Sequence, residues 1–152
     1  MNTPPPDALG RLPHGPEFRF VDRVLQLDPG RRGTGEYKVR GEEPFLAGHF
    51  PGNPLFPGVL LIEACAQLAG VVAQCDPIHG ALPNLKLAAV RGAKIMGSAR
   101  PGDVITLHAE VKGRLGRLIQ AQATASVHGA LVLQCELTLA GSDPQAENPP
   151  IR

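Results

Sequence analysis

The chain has 152 residues, a mass of 16.0 kDa and a formal net charge of +1 at pH 7, with 43% apolar and 19% charged residues. The length suits one domain, the apolar content excludes a disordered chain, and the balanced charge excludes nucleic-acid binding through a strong basic field. Aromatic residues make up only 4% of the chain and tryptophan is absent. The core is therefore expected to consist of Leu, Val, Ile and Ala.

The two ends of the chain are rich in proline and show no hydrophobic periodicity, up to about residue 17 and again from Gly141 onward. We assign residues 1–152 to one domain and expect flexible ends around an ordered core over about residues 15–141. The first predicted strands cover residues 18–27 and 37–39, and a turn at residues 28–30 ends the first of them.

One long helix is predicted to begin at Pro57-Gly58 and to continue through VLLIEACAQLAGVVAQC. Proline suits the first turn of a helix because its missing N–H would lack an intrahelical partner anyway. Only Glu63, Gln67 and Gln74 are strongly polar, and a helix that is apolar on nearly every side is typical of a buried one. The segment is too short to span a bilayer, so no membrane association is predicted.

The second half of the chain alternates apolar and polar residues over 105–111, 119–127 and 133–139, which predicts three antiparallel strands. Their turns are expected at residues 112–117 and at His128-Gly129. Residues 85–96 are ambiguous between strand and helix, and strand is favoured. The predicted fold class is α+β, with one long buried helix wrapped by a curved antiparallel sheet.

The segment over residues 48–58 carries the strongest chemical signal, because it combines three prolines and three glycines around His49. Such a loop has few conformations to lose and would hold the imidazole rigidly. The start of the following helix offers unpaired backbone N–H groups that could stabilise an oxyanion or enolate. Further along, Glu63 needs a partner or a proton on so apolar a helix, and Gln67 lies four residues on, where it could orient the carboxyl.

The string HFPGNPLFPGVLLIEACAQ resembles the signature of the β-hydroxyacyl-acyl carrier protein dehydratases of fatty acid synthesis, a hotdog-fold family. FRFVDRVLQL before it and RPGDVITLHAEV after it extend the resemblance over about residues 15–140. The resemblance implies the hotdog fold and the elimination of water from a 3-hydroxyacyl thioester to give the trans-2-enoyl thioester.

Carried over by position, the resemblance makes His49 the catalytic group that takes the C2 proton and Glu63 the acid that helps the C3 hydroxyl leave. Backbone N–H groups of Gly58 and Val59 would polarise the thioester carbonyl, and Gln67 would steady Glu63. No metal and no other cofactor is implied. The substrate would be bound to acyl carrier protein.

The family also implies a homodimer, possibly extended to a trimer of dimers, in which His49 and Glu63 come from different subunits. The sequence leaves pairing within one chain equally open. Two stretches depart from the family pattern, namely Glu42-Glu43-Pro44-Phe45 and GAKIMGSARPGD, and they leave the acyl chain and its carrier open. A glutamate at position 63, where dehydratase-isomerases carry aspartate, disfavours isomerase activity.

Two sets of basic residues allow either a purely structural or a functional interpretation. They are expected to be solvated surface groups, and the alternative is that they bind an acidic carrier protein or its phosphate. The sets are Lys112, Arg114 and Arg117, and Arg91, Lys94 and Arg100.

Three cysteines without a C-x-x-C pair favour a reducing compartment, so a cytoplasmic location is expected. Cys65, Cys75 and Cys135 are interpreted as core residues. The histidines other than His49 have no acidic or cysteine neighbours at ligand spacing, which argues against a metal site; they are His14, His79, His108 and His128.

Two functional alternatives stay open, an acyl thioesterase on the same fold and a non-catalytic module that binds acyl thioesters.

Overall fold

The computed structural model describes residues 3–5 and 7–142. Two short 3-10 turns come first, at Ala8–Arg11 and Pro16–Phe18. They are followed, in chain order, by β1 (Arg23–Asp28), β2 (Arg32–Lys38), α1 (Pro44–Gly48), α2 (Gly58–Gln74), β3 (Lys86–Ile95), β4 (Val104–Leu115), β5 (Leu118–Val127) and β6 (Ala130–Ala140). The expected flexible tail lies outside the described residues from position 143 onward.

The six strands form one antiparallel sheet in the order β1-β2-β4-β5-β6-β3, and every strand contacts α2. A curved sheet wrapped around one long helix is the hotdog architecture, which confirms the predicted α+β class. Within the described part of the chain, no helix is both long enough and apolar enough to cross a membrane.

The central helix α2 is confirmed, with Pro57 as its N-cap and ten of its seventeen residues buried. It is apolar on nearly all sides because strands surround it, so its apolar surface is removed from water wherever it points. The facing side of β5 carries Ala121, Ala123 and Ala125, all buried. These small side chains let the sheet approach the helix closely.

The alternating pattern of β4, β5 and β6 and the strand assignment of β3 are confirmed, but β4 is longer than predicted. It continues to Leu115 past an irregularity between Val111 and Gly113, so the turn expected over residues 112–117 is confined to Gly116-Arg117. The second turn is at His128-Gly129 as predicted, with φ of 51° and 77°. Two positive φ values in a two-residue loop match the twist of the strands that it joins.

The first two strands differ from the prediction, β1 in its start after a 3-10 turn at Pro16–Phe18, and β2 because glycines interrupt its alternation. β1 begins only at Arg23, and β2 covers Arg32–Lys38 rather than residues 37–39. A Cβ at Gly33 would lie 2.9 Å from Cγ2 of Val72, and one at Gly35 would lie 3.4 Å from Cδ1 of Leu68. These glycines let β2 lie against the helix, and without side chains they give no hydrophobic period.

The N-terminal segment adds to the core before the expected start at about residue 15. Ala8 and Leu12 are buried, and they cluster with Leu27, Val71 and Val72. The C-terminal half of α2 is therefore covered on one side by the start of the chain.

Aromatic residues are few but concentrated in one place. Phe20, Tyr37, Phe45 and Phe56 contact one another with ring centroids 5.5–6.0 Å apart. Phe45 belongs to α1, a short helix that the sequence pattern did not predict. This cluster packs the segment between β2 and α2 onto the core, although the composition suggested a purely aliphatic interior.

We expect Gly35→Ala to lower the free energy of unfolding by about 1–3 kcal/mol, because the new methyl group would lie 2.9 Å from the carbonyl oxygen of Arg23 and 3.2 Å from Cγ1 of Val21. Urea denaturation measures the change. Gly113→Ala in β4 is the matched control, since its Cβ would meet nothing within 4 Å, and its effect should stay within about 0.5 kcal/mol. Equal losses from both substitutions would contradict the close approach of β2.

Candidate active site

His49 directly follows α1 and is half-buried. Its Nδ1 lies 2.8 Å from the carbonyl oxygen of Leu55. A carbonyl oxygen only accepts hydrogen bonds, so Nδ1 must carry the hydrogen in this contact. In the neutral imidazole the other nitrogen, Nε2, is then left with a free lone pair. The side chain is thus held in the form that can accept a proton at Nε2.

The loop after His49 is fixed at several points. The N–H of Phe56 donates to the carbonyl oxygen of Ala99 at 2.8 Å, and the guanidinium of Arg100 donates to Oδ1 of Asn53 at 2.8 Å. Phe50 adopts a φ of 55°, unusual for a residue with a side chain, and its ring stands edge-on to the imidazole with centroids 4.7 Å apart. Arg100, one of the candidate docking residues, therefore has a structural contact in this loop.

The first turn of α2 leaves backbone donors free. The N–H groups of Leu60 and Leu61 donate to the carbonyl of Pro57, but those of Gly58 and Val59 have no hydrogen-bond partner within the described residues. A Cβ at Gly58 would lie 2.9 Å from Cδ1 of Ile95, so this end of the helix lies directly against β3. These free N–H groups have the geometry expected of the first turn of a helix, where the positive end of the dipole also lies.

Glu63 lies in the second turn of α2 with its side chain 21% exposed. Nε2 of Gln67 donates to Oε1 of Glu63 at 3.2 Å and to the carbonyl oxygen of Phe18 at 2.9 Å, while Oε1 of Gln67 accepts the N–H of Phe20 at 2.8 Å. Gln67 is only 2% exposed. One buried amide thus connects the carboxyl to the backbone that leads into β1.

A cavity of about 420 Å³ opens beside this carboxyl. Its wall is mainly apolar in area, although half of the residues that line it have polar side chains, and it is of the size of sites for small organic ligands. It is lined by Arg11, Leu12, Pro13, His14, Glu63, Ala66, Gln67, Gly70, Gln74, Asn84, Leu85, Lys86, Leu87 and Leu139.

His49 does not belong to this wall, and within the described part of one chain no hydrogen bond or ion pair joins it to Glu63. Within the described part of one subunit, the two candidate catalytic groups thus make no polar contact with each other. Gln67 contacts Glu63, whereas the free N–H groups of Gly58 and Val59 belong to the helix end that lies against β3.

Sequence reasoning missed His14, whose Nε2 lies 3.2 Å from Oε1 of Glu63. In the sequence this histidine has no acidic or cysteine neighbour at the spacing of a metal ligand. A usable signal was present, because Pro13, Gly15 and Pro16 flank it much as prolines and glycines surround His49.

Two of the remaining candidate groups, Arg114 and Cys65, have structural partners. Arg114 donates to the carbonyl oxygens of Gly80 and His79 at 3.1 and 3.4 Å, which removes it from the exposed basic groups. A hydrogen bond to Cys135, together with burial, raises the pKa of the Cys65 thiol. A thiol kept protonated in the core is not a nucleophile. Cys65 and Cys135 are buried, as predicted for core residues, whereas Cys75, which directly follows α2, is only half-buried.

Residues 12–136 of the sequence match the family model of the FabA-like domain. The 3-hydroxyacyl-acyl-carrier-protein dehydratase FabZ of Chloroflexus aggregans is 38% identical over 138 residues, which are 91% of this chain and 95% of that protein. The enzyme of the same name from Ruminiclostridium cellulolyticum is 40% identical over 131 residues, or 85% and 90% of the two chains.

Comparison of the structure gives the same fold at lower identity. The dehydratase heterocomplex ApeI:P from Xenorhabdus doucetiae superposes with a TM-score of 0.75 at 16% identity, covering 89% of this chain and 90% of that one. A hypothetical thioesterase with coenzyme A from Streptococcus pneumoniae has a TM-score of 0.59 at 16% identity, covering 79% and 84%. Both similarities support the hotdog architecture.

Replacing Gln67 by leucine should lower the free energy of unfolding by about 1–3 kcal/mol, because the buried N–H of Phe20 and the carbonyl of Phe18 would lose their partner. Chemical denaturation measures the loss. Gln120→Leu, at an exposed position of β5, is the control and should change stability by no more than about 0.5 kcal/mol. A Gln67→Leu protein as stable as the control would contradict the bridging role of this amide.

Proposed function

The chain belongs to the FabA-like family of 3-hydroxyacyl-acyl carrier protein dehydratases, and on that premise we propose that it removes water from 3-hydroxyacyl thioesters in fatty acid biosynthesis. The product is the trans-2-enoyl thioester. The observation that carries the proposal is the carboxyl of Glu63 on the wall of a largely apolar cavity of about 420 Å³. A carboxyl in that setting suits proton transfer to a substrate whose acyl chain occupies the rest of the space.

In the proposed reaction the free Nε2 of His49 takes the proton from C2 of the acyl group. An α-proton of a thioester becomes acidic only when the developing enolate is stabilised, and the free N–H groups of Gly58 and Val59 supply donors to the thioester oxygen. The C2–H electrons form the C2–C3 double bond as the C3–O bond breaks. Glu63 gives its proton to the departing hydroxyl, which leaves as water.

At the end of this step His49 carries the extra proton and Glu63 is ionised, so a net transfer of one proton between them restores the starting state. Neither a metal ion nor an organic cofactor takes part in the scheme. Gln67 keeps the carboxyl oriented through its bond to Oε1. Positioned acid and base groups of this kind typically contribute about 10²–10⁴-fold each.

The acting form of the protein is proposed to be a homodimer in which His49 of one subunit meets Glu63 of the other. Two observations support this assembly. Within one described chain, no hydrogen bond or ion pair joins the two side chains. The edge strand β3 has all ten of its residues exposed, with Leu87, Val90 and Ile95 from 37% to 52% exposed. An exposed, partly apolar edge strand has unpaired backbone groups that can pair with another strand. An antiparallel copy of β3, related by a twofold axis, would supply that strand.

A trimer of such dimers, which the family resemblance implies, stays a prediction. A cytoplasmic location is proposed because the three cysteines are free thiols, as in a reducing compartment.

Acyl carrier protein is the proposed bearer of the substrate, as the names of the relatives state for those enzymes. Arg91 and Lys94 are exposed on β3, and Lys94 precedes Ile95, whose side chain contacts the first turn of α2. Their charge would attract an acidic carrier or the phosphate of its prosthetic group toward the end of the helix where the thioester is proposed to bind.

The experiment is turnover of purified protein with 3-hydroxyacyl and trans-2-enoyl thioesters, on carrier protein and on coenzyme A, followed by enoyl absorbance. His49→Ala and Glu63→Gln should each lose at least about 100-fold in kcat/KM. Two exposed residues supply matched controls, His79→Ala and Glu110→Gln, which should keep the activity of the unsubstituted protein.

Near-normal turnover in folded His49→Ala and Glu63→Gln proteins would contradict the assigned roles. A free thiol and a carboxylic acid as products would identify a thioesterase instead. Tight binding of the thioester without any product would identify a non-catalytic binding module.

A further inference from the structure

A second histidine reaches the same carboxyl from outside the helix. His14 lies between the two N-terminal 3-10 turns, and its Nε2 is 3.2 Å from Oε1 of Glu63. Its backbone is fixed, since the guanidinium of Arg19 donates to the His14 carbonyl oxygen at 3.1 Å, and its ring stacks on Phe18 with centroids 6.1 Å apart. His14 also lines the cavity.

The two ring nitrogens of His14 have unlike surroundings, which identifies the one that carries the hydrogen. Nε2 faces a carboxylate oxygen, which only accepts, whereas Nδ1 is buried with no hydrogen-bond partner within the described residues. A buried N–H without an acceptor is costly, so the hydrogen belongs on Nε2. His14 is thus a donor at Nε2, the opposite tautomer from His49, whose Nε2 is free to accept.

Oε1 of Glu63 accepts the amide of Gln67, and Nε2 of His14, from a different part of the chain, lies 3.2 Å from the same oxygen. The contact with His14 is an ion-pair contact rather than an aligned hydrogen bond. Oε2 of Glu63 has no hydrogen bond within the described chain. Oε2 is therefore the oxygen of the carboxyl that is left free.

We propose that His14 is a positioning residue for the dehydration reaction, whose Nε2–H faces Oε1 of Glu63 and donates to the carboxylate as it gives up its proton. This inference rests on the proposed function, in which Glu63 protonates the departing hydroxyl. As the carboxyl loses its proton, negative charge develops 3.2 Å from Nε2 of His14, and the contact becomes a charge-assisted hydrogen bond. An interaction that strengthens in the transition state raises kcat rather than lowering KM.

Three substitutions of His14 distinguish the effect of its N–H donor from the effect of its aromatic ring. His14→Gln keeps an N–H donor at about the position of Nε2, His14→Asn carries the same amide on a shorter side chain, and His14→Phe keeps the stacking on Phe18 but has no donor. We expect His14→Gln to keep kcat within about threefold, while the other two lose about 10- to 100-fold in kcat, the usual effect of losing a hydrogen bond to a charged group. KM should change little.

Steady-state kinetics on an enoyl thioester of coenzyme A and thermal melting of each protein provide the readouts. If the Phe and Asn proteins keep the kcat of the unsubstituted chain, the inference is wrong and the proposed function is untouched. If all three substitutions lower kcat and the melting temperature together, His14 has only a structural role and the inference is again wrong.

Imidazole ¹⁵N NMR of the full chain tests the same contact without any turnover. A hydrogen on Nε2 of His14 supports the inference, and a hydrogen on Nδ1 overturns it. An unsubstituted protein that converts no thioester would count against the proposed function, and the NMR result would still decide the position of the His14 proton.

Discussion

One carboxyl group, that of Glu63, is held on a helix that the sheet surrounds almost completely. Burying a charge without partners would cost several kcal/mol, and the structure offsets that cost with Gln67 from the same helix and His14 from the N-terminal segment. Gln67 in turn binds the backbone at Phe18 and Phe20. The carboxyl, the entry into β1 and the start of the chain are therefore positioned together.

The second constraint is that the proposed base, His49, and the proposed acid, Glu63, belong to different elements of one subunit, a loop and the helix α2. His49 is fixed by the carbonyl of Leu55 in a loop that precedes α2, whereas Glu63 faces a cavity beneath the N-terminal segment. An exposed edge strand, β3, lies against the beginning of α2 through Ile95 and Gly58. The proposed second copy, paired along β3, would account for both the open edge and the lack of polar contact between the two side chains within one described chain.

The strands β4, β5 and β6 were predictable from the sequence because burial of one face gives an alternating pattern. The helix α2 was predictable because burial on nearly all sides gives a long apolar run. The strand β2 was not, because Gly33 and Gly35 are selected for close approach to the helix and carry no hydrophobic signal. The Glu63–Gln67 contact followed from helical spacing alone. The contact of His14 with Glu63 could not be predicted that way, since it joins residues 49 positions apart and depends on how the N-terminal turns pack.

The central claim is that the Glu63 carboxyl of one subunit acts with the His49 imidazole of the other. Mixed dimers test this claim most directly. His49→Ala and Glu63→Gln chains with different affinity tags would be coexpressed, and the heterodimer isolated and assayed on an enoyl thioester. The account predicts about half the activity of the unsubstituted dimer, because one of its two sites then holds both intact side chains. A heterodimer as inactive as either homodimer would contradict it and would show that each chain uses its own pair.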